Sequence, residues 1–176
     1  MVPLSVLFAD VRGYTKLTAG LLPAEVPALV NRFYETASAA LLSHEGLLGQ
    51  IEGDNVMSLF VPGLAGAGYR RNAVEAGRSL LQAVGPGSEL SLDVGVGISS
   101  GEEFVGNVGG GGYKDFAAVG DVTNLAARLT AKAAAGEVLV DAATFEAVAD
   151  VYPNAERREL DLKGKEAPVI AFSIEA

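Results

Sequence analysis

Leu4-Ser5-Val6-Leu7-Phe8-Ala9 is a short, almost wholly apolar run that ends in Asp10 and a Gly-containing turn. So short a run, rich in branched residues and closed by a turn signal, predicts a strand buried on both faces. The rest of the chain must therefore supply its cover. From Pro23 to His44, apolar residues recur at Val26, Leu29, Val30, Phe33, Ala37, Ala40 and Leu41, one face of a long helix begun by proline and stopped by Gly46. A second amphipathic helix is predicted from Arg70 to Val84, with Val74, Gly77, Leu80, Leu81 and Val84 inward.

Between these helices, Leu47 to Phe60 reads as a hairpin with Gly53-Asp54 at its tip, and Pro62 to Gly68 as loop. Leu90 to Ile98 returns as a strand whose glycines signal close backbone approach or sharp twist. Val105 to Gly112 ends in four glycines, a hairpin tip and not a phosphate cradle, because neither a helix start nor a P-loop Lys follows. The remainder predicts a strand at Phe116 to Val119, a helix from Val122 to Ala135 closed by Gly136, a strand at Glu137 to Val140, a helix from Ala142 to Ala149, and strands at Arg158 to Leu162 and Val169 to Ile174. Strands and helices alternate without strict βαβ regularity. The expected class is α+β, a mixed sheet with helices packed on it, in one domain spanning residues 1–176.

Composition removes several kinds of function. A net charge of −9 leaves no clustered cations to grip a nucleic acid backbone, and a triphosphate partner would need Mg²⁺ or Mn²⁺ to bridge the repulsion. Without cysteine there is no disulfide, zinc–thiolate or thiol-nucleophile chemistry. The lone His44 follows a helical run in a polar patch, where a solvated or capping role is expected, and no Ser-His-Asp or multi-His site assembles around it. No segment has the length or pattern of a membrane span or signal peptide, so the expectation is a cytoplasmic domain with no membrane contact.

The chemistry-bearing candidates are carboxylates. Asp10 at the exit of the first strand and Asp54 at the hairpin tip could converge to hold paired divalent cations against a triphosphate. In Phe8-Ala9-Asp10-Val11-Arg12-Gly13-Tyr14-Thr15, Asp10 and a backbone carbonyl at Val11 would bind metal, while amides of Gly13, Tyr14 and Thr15 receive phosphate oxygens. A helix-capping Asp is the alternative. Asn124 and Arg128 stand four apart on a helix and share a face, as a catalytic pair or as an ordinary solvated flank. Leu162-Lys163-Gly164-Lys165 is either a surface turn or a polyphosphate contact.

Taken in order, Phe8 to Thr15, Gly53 to Phe60, Val94 to Gly101, Gly120 to Leu129 and Leu162 to Lys165 resemble the motif set of class III adenylate/guanylate cyclase catalytic domains. The resemblance implies a ferredoxin-like βαββαβ core with a C-terminal elaboration, working as a head-to-tail homodimer with active sites at the interface. It implies ATP or GTP as substrate, two Mg²⁺ or Mn²⁺ ions per site, and regulatory input from domains outside this chain. Asp10 and Asp54 match the metal ligands. Asn124 and Arg128 match residues that reach across from the other chain to orient the ribose and stabilise phosphate charge, and Lys163 matches a further phosphate contact.

This sequence departs from the pattern where purine choice is made. Adenylate-making relatives place Lys where Gln50 stands and Asp or Thr where Ala117 stands. Gln50 presents a donor or an acceptor and Ala117 no polar atom, so weak discrimination between ATP and GTP, or low activity, is expected. On a regular strand Gln50, Glu52 and Asp54 would face one side, with Glu52 at an exposed tip. The alternative function is a catalytically impaired cyclase-like module that binds nucleotide or dimerises. A diguanylate cyclase or polymerase palm would need a Gly-Gly-Asp/Glu-Glu-Phe turn or a basic groove, and the sequence has neither.

Overall fold

The apolar run at the N-terminus becomes β1 (Val2–Val11), in which Leu4, Val6, Leu7 and Ala9 are completely buried. Alternate side chains enter different cores, as the pleat requires. Leu7, Ala9 and Val11 meet Phe33, Leu41, Val74 and Leu80 on one face, whereas Leu4 and Val6 join Met57, Leu59 and Ala126 on the other. The computed structural model describes all residues except 111–114, with the backbone alone described at 115–116.

The remaining elements are α1 (Tyr14–Ala19), α2 (Glu25–Ser43), β2 (Leu47–Glu52), β3 (Asn55–Phe60), α3 (Pro62–Ala65), α4 (Tyr69–Val84), β4 (Val94–Val108), β5 (Asp115–Val119), α5 (Asp121–Lys132), β6 (Glu137–Asp141), α6 (Ala142–Phe145), β7 (Glu156–Leu160) and β8 (Val169–Glu175). The sheet runs β2-β3-β1-β4-β6-β8-β7, with β5 paired to β4. Only β4 and β6 run parallel among the described pairings. β1, α2, β2, β3, α4 and β4 form the expected ferredoxin-like βαββαβ core, and everything after β4 is the C-terminal elaboration. Among the described residues no helix is long and apolar enough to cross a membrane.

The glycines of β4 do what close approach requires. A Cβ on Gly97 would lie 2.2 Å from the Thr130 amide nitrogen, and one on Gly101 would lie 2.8 Å from Val122 Cγ2. At Gly97 and Gly101 β4 presents no side chain, so α5 can lie directly on the sheet there.

Several boundaries differ from expectation. The strand predicted from Leu90 begins only at Val94, because Ser88 Oγ accepts from the amides of Leu90 and Ser91 and Leu92 N–H donates to the Val84 carbonyl, bonds that compete with a ladder. The predicted second segment from Val105 is the continuation of the same strand, and the proposed four-glycine tip lies partly outside the described residues. Pro62 to Gly68 is α3 followed by a 3₁₀ turn, with proline in the first helical turn, where its missing N–H costs nothing. α2 starts at Glu25, beyond Pro23, and the left-handed residue that ends it is Glu45, not Gly46. Gly46 is needed for space instead, since a Cβ there would meet Ser58 Oγ at 2.6 Å. α5 ends at Lys132, α6 stops at Phe145 and continues as turns, and the strand predicted from Arg158 begins at Glu156. His44 does cap α2, and its Nε2 is 2.8 Å from Ser79 Oγ.

Candidate functional site

Register brings the two candidate carboxylates together. Asp10 lies opposite Asn55 in the β1–β3 pairing, and Gly53-Asp54 is the two-residue turn joining Glu52 to Asn55. Gly53 takes φ 60°, which an L side chain disfavours. The turn is pinned from both sides: Val11 N–H donates to the Asp54 carbonyl at 3.1 Å, and Tyr34 Oη–H donates to the Gly53 carbonyl at 2.6 Å.

The electrostatics follow from this placement. The Asp10 carboxyl is held above its ordinary pKa, first by burial and then by the Asp54 charge, against the opposing influence of Arg12 and a hydrogen bond with the Asn55 side chain. Arg12 does little to neutralise it, with Nη1 3.5 Å from Asp10 Oδ2. Tyr34 is likewise raised by burial and then by Tyr14, Asp54 and Glu52, so the tyrosine that opens α1 faces the same corner. Two half-buried carboxylates that repel each other suit a hard divalent cation, whose ligands are oxygens. Among the described residues no three acidic or imidazole side chains form a metal cage, so backbone and ligand oxygens would complete the coordination. Asp10 and Asp54 thus offer the hard oxygen donors that a Mg²⁺ or Mn²⁺ ion takes.

Asp54 lies outside the strand that carries Gln50 and Glu52. β2 pairs with β3 through Leu48↔Ser58 and then Ile51↔Val56, so one extra residue is inserted at Gly49-Gln50, and Asp54 lies in the turn. Gly49 permits this bulge, because a Cβ there would lie 2.4 Å from Met57 Cε. Gln50 and Glu52 are both exposed. Ala117 sits opposite Gly106 on β5, and β2 and β5 are not neighbours in the sheet.

The cationic candidates form a separate group. Asn124 is exposed on α5 and Arg128 half-buried one turn later, beside the turn that precedes β8. Arg128 Nη2 is 3.3 Å from the place a Cβ would take on Gly164, which has φ +80°. Helix α5 and the Leu162–Lys165 turn thus bring Asn124, Arg128 and Lys163 to one end of the elaboration. Lys165 is tied to Asp121 at 2.6 Å, whereas among the described residues neither Arg128 nor Lys163 enters an ion pair. No ion pair or hydrogen bond links this group to Asp10 or Asp54 among the described residues.

Three residues escaped the sequence reading. Arg12 stands inside a recognised motif, but its partner Thr130 is 118 positions away. Tyr34, next to the core residue Phe33, carries no signal that its hydroxyl would reach the hairpin tip. Glu103, only 1% exposed, accepts from the Thr123 amide at 2.9 Å and from the Thr123 hydroxyl, anchoring the start of α5.

The profile of the adenylate and guanylate cyclase catalytic domain matches residues 2–176. Among solved structures, adenylyl cyclase CyaB from P. aeruginosa superposes with a TM-score of 0.85 at 29% identity, covering 99% of this chain and 95% of that one. Guanylyl cyclase Cya2 gives 0.84 at 27% identity, covering 97% and 90%. An uncharacterized protein of Mycobacterium tuberculosis (strain ATCC 25618 / H37Rv) is 29% identical over 94% of this chain. The chain spans 31% of that relative's length. A family match along nearly the entire sequence, on a fold shared with both an adenylyl and a guanylyl cyclase, places this chain in the class III adenylate and guanylate cyclase catalytic domain family.

Proposed function

We propose that the domain converts ATP or GTP to the 3′,5′-cyclic monophosphate and pyrophosphate as a head-to-tail homodimer. Each site would take Asp10, the Val11 carbonyl and Asp54 from one protomer and Asn124 and Arg128 from its partner. The observation that carries this reading is the register that sets Asp10 opposite Asn55, next to Asp54, with the Val11 amide bonded to the Asp54 carbonyl at 3.1 Å. Two carboxylates that destabilise each other have an evident use once cations lie between them. Among the described residues no ion pair joins Asn124, Arg128 or Lys163 to that corner, which agrees with a site shared between chains.

Bound Mg²⁺ or Mn²⁺ would supply Lewis acidity toward the ribose 3′-hydroxyl and charge neutralisation at the leaving pyrophosphate. The chain's residues do the rest. Asn124 orients the ribose so that the 3′-oxygen is in line with the α-phosphorus as that bond forms and the α–β phosphate bond breaks. Arg128 faces the charge that develops on the α-phosphate, and Lys163 faces the polyphosphate. The amides of Gly13, Tyr14 and Thr15 receive phosphate oxygens. The lone imidazole has no part, since His44 Nε2 is paired with Ser79 at the end of α2.

A second reading, a nucleotide-binding or dimerisation module of low activity, draws on Gln50 and Ala117, which provide weaker base recognition than a Lys and an Asp. Purified protein with Mn²⁺ and either nucleotide separates the two: the cyclase forms cyclic nucleotide and the Asp54→Ala variant does not. Nucleotide binding with equal background turnover in both proteins would favour the module.

A further inference from the structure

Arg12 leaves β1 one residue beyond its end and crosses the sheet. Its guanidinium lies over Gly95, where a Cβ would come within 2.5 Å of Nη2 and 2.8 Å of Nε. Beyond that crossing, Nη2–H donates to the Thr130 carbonyl at 2.6 Å, while Nη1 remains 3.5 Å from Asp10. The backbone is fixed as well, with Arg12 N–H donating to the Asp93 carbonyl at 2.6 Å. Thr130 belongs to the last turn of α5, where a cation is favoured, and its carbonyl accepts from the Ala133 amide at 3.2 Å as well as from Arg12. The single Thr130 hydroxyl proton is shared between the Ala126 carbonyl at 2.8 Å in its own helix and the Phe8 carbonyl of β1 at 3.3 Å. The guanidinium Nε–H is buried and has no partner among the described residues, so Arg12 holds this pose through its other two nitrogens.

The same helix carries Asn124 and Arg128. On the composite-site reading above, we propose that Arg12 is a positioning residue: it fastens the end of α5 to the metal-bearing end of β1 and so sets where Asn124 and Arg128 stand for the partner's site. The consequence is directional. Arg12 sits beside Asp10 in its own protomer, yet it serves the site whose carboxylates belong to the other protomer.

Two measurements test this. In hydrogen exchange on the whole protein, Arg12→Ala should speed exchange of amides in residues 126–133 at least tenfold and leave β1, β4 and the β2–β3 hairpin unchanged. Gly95→Ala, which displaces the guanidinium while retaining the arginine, should produce the same local change. Unchanged exchange in α5 for both variants overturns the proposal, and the protected strands report that each variant has folded.

The second measurement uses mixed dimers of Asp54→Ala protomers with Asn124→Ala, Arg128→Ala protomers, whose only complete site pairs the carboxylates of the second with the α5 of the first. Placing Arg12→Ala in the Asp54→Ala protomer should reduce cyclic nucleotide formation about tenfold, several times more than placing it in the other protomer. Equal losses, or a larger loss in the carboxylate-bearing protomer, contradict the directional role. If the mixture is silent even with Arg12 intact, the composite-site reading falls, while exchange still decides whether Arg12 holds α5.

Discussion

Asp10 on β1 and Asp141 on β6 flank the same central strand, β4, and their surroundings are opposite. Asp141 is 7% exposed and accepts four hydrogen bonds, from Ser99 Oγ, the Ser100 amide, the Thr144 amide and Thr144 Oγ1. The network extends through Ser100 Oγ to Thr144 Oγ1 and Ser5 Oγ, each at 2.7 Å. Asp10 has one long ion pair and one side-chain amide, and faces another carboxylate. A buried carboxylate that is fully hydrogen-bonded belongs to the fold. One left under-neutralised against a like charge is held ready for something that is not protein.

The contrast breaks most directly through activity. Asp54→Ala keeps the turn, because only the backbone carbonyl of Asp54 accepts from Val11, and it removes one of the two carboxylates. Cyclic nucleotide formation should fall at least ~10³-fold, about 4 kcal/mol of transition-state stabilisation. Thermal melting should change little. A variant that unfolds, or that retains most of its turnover, would place Asp54 with the structural carboxylates.

Asp141→Ala should do the reverse. Removing the acceptor strands the amide and hydroxyl donors of Ser99, Ser100 and Thr144, a loss of about 2–4 kcal/mol in urea denaturation. Nucleotide turnover by the fraction that remains folded should match the parent. A loss below about 1 kcal/mol would mean that water satisfies these donors and that the network is less important than its geometry implies.

Much of this was legible from local pattern. The apolar run at Leu4–Ala9 announced a strand covered on both faces, the Gly53-Asp54 turn announced the hairpin that delivers Asp54, and the glycines of β4 announced the close approach of α5. What the pattern could not carry were contacts made by the completed fold. The insertion at Gly49-Gln50 depends on where Met57 lies across the hairpin, which no period in the sequence of β2 announces. The apolar Leu90 and Leu92 read as strand, but the Ser88 hydroxyl captures the nearby amides first. Arg12–Thr130 and Glu103–Thr123 join segments whose meeting no spacing encodes.

A smaller effect is expected from the base-reading positions, which sharpen the picture of the functional end. Gln50→Lys with Ala117→Asp restores polar groups of the kind adenylate-making relatives use, and the ratio of kcat/KM for ATP over GTP should rise roughly tenfold, about 1.4 kcal/mol. Gln50 is exposed, so a longer side chain there meets solvent first. An unchanged ratio would show that these positions do not contact the purine.

The smallest effect carries a sign that distinguishes the two kinds of carboxylate. In the folded chain Asp10 keeps its proton above the pH at which it would release it when unfolded. The folded state therefore binds more protons across that window, and stability is lost as pH rises from the ordinary carboxylate pKa through the raised one. At neutral pH and without divalent cations, Asp10→Asn should be the more stable protein, by on the order of a degree or two in melting temperature for a chain of this length. The advantage should vanish in acid below the ordinary carboxylate pKa, where both side chains are neutral. Added Mn²⁺ should also erase it, because cation binding stabilises the parent and not the amide. Asp141, with its four donors, predicts the opposite sign for Asp141→Asn under the same conditions. If Asp10→Asn instead melts below the parent in EDTA at pH 7, the Arg12 and Asn55 contacts outweigh the repulsion from Asp54, and Asp10 would be a structural carboxylate after all.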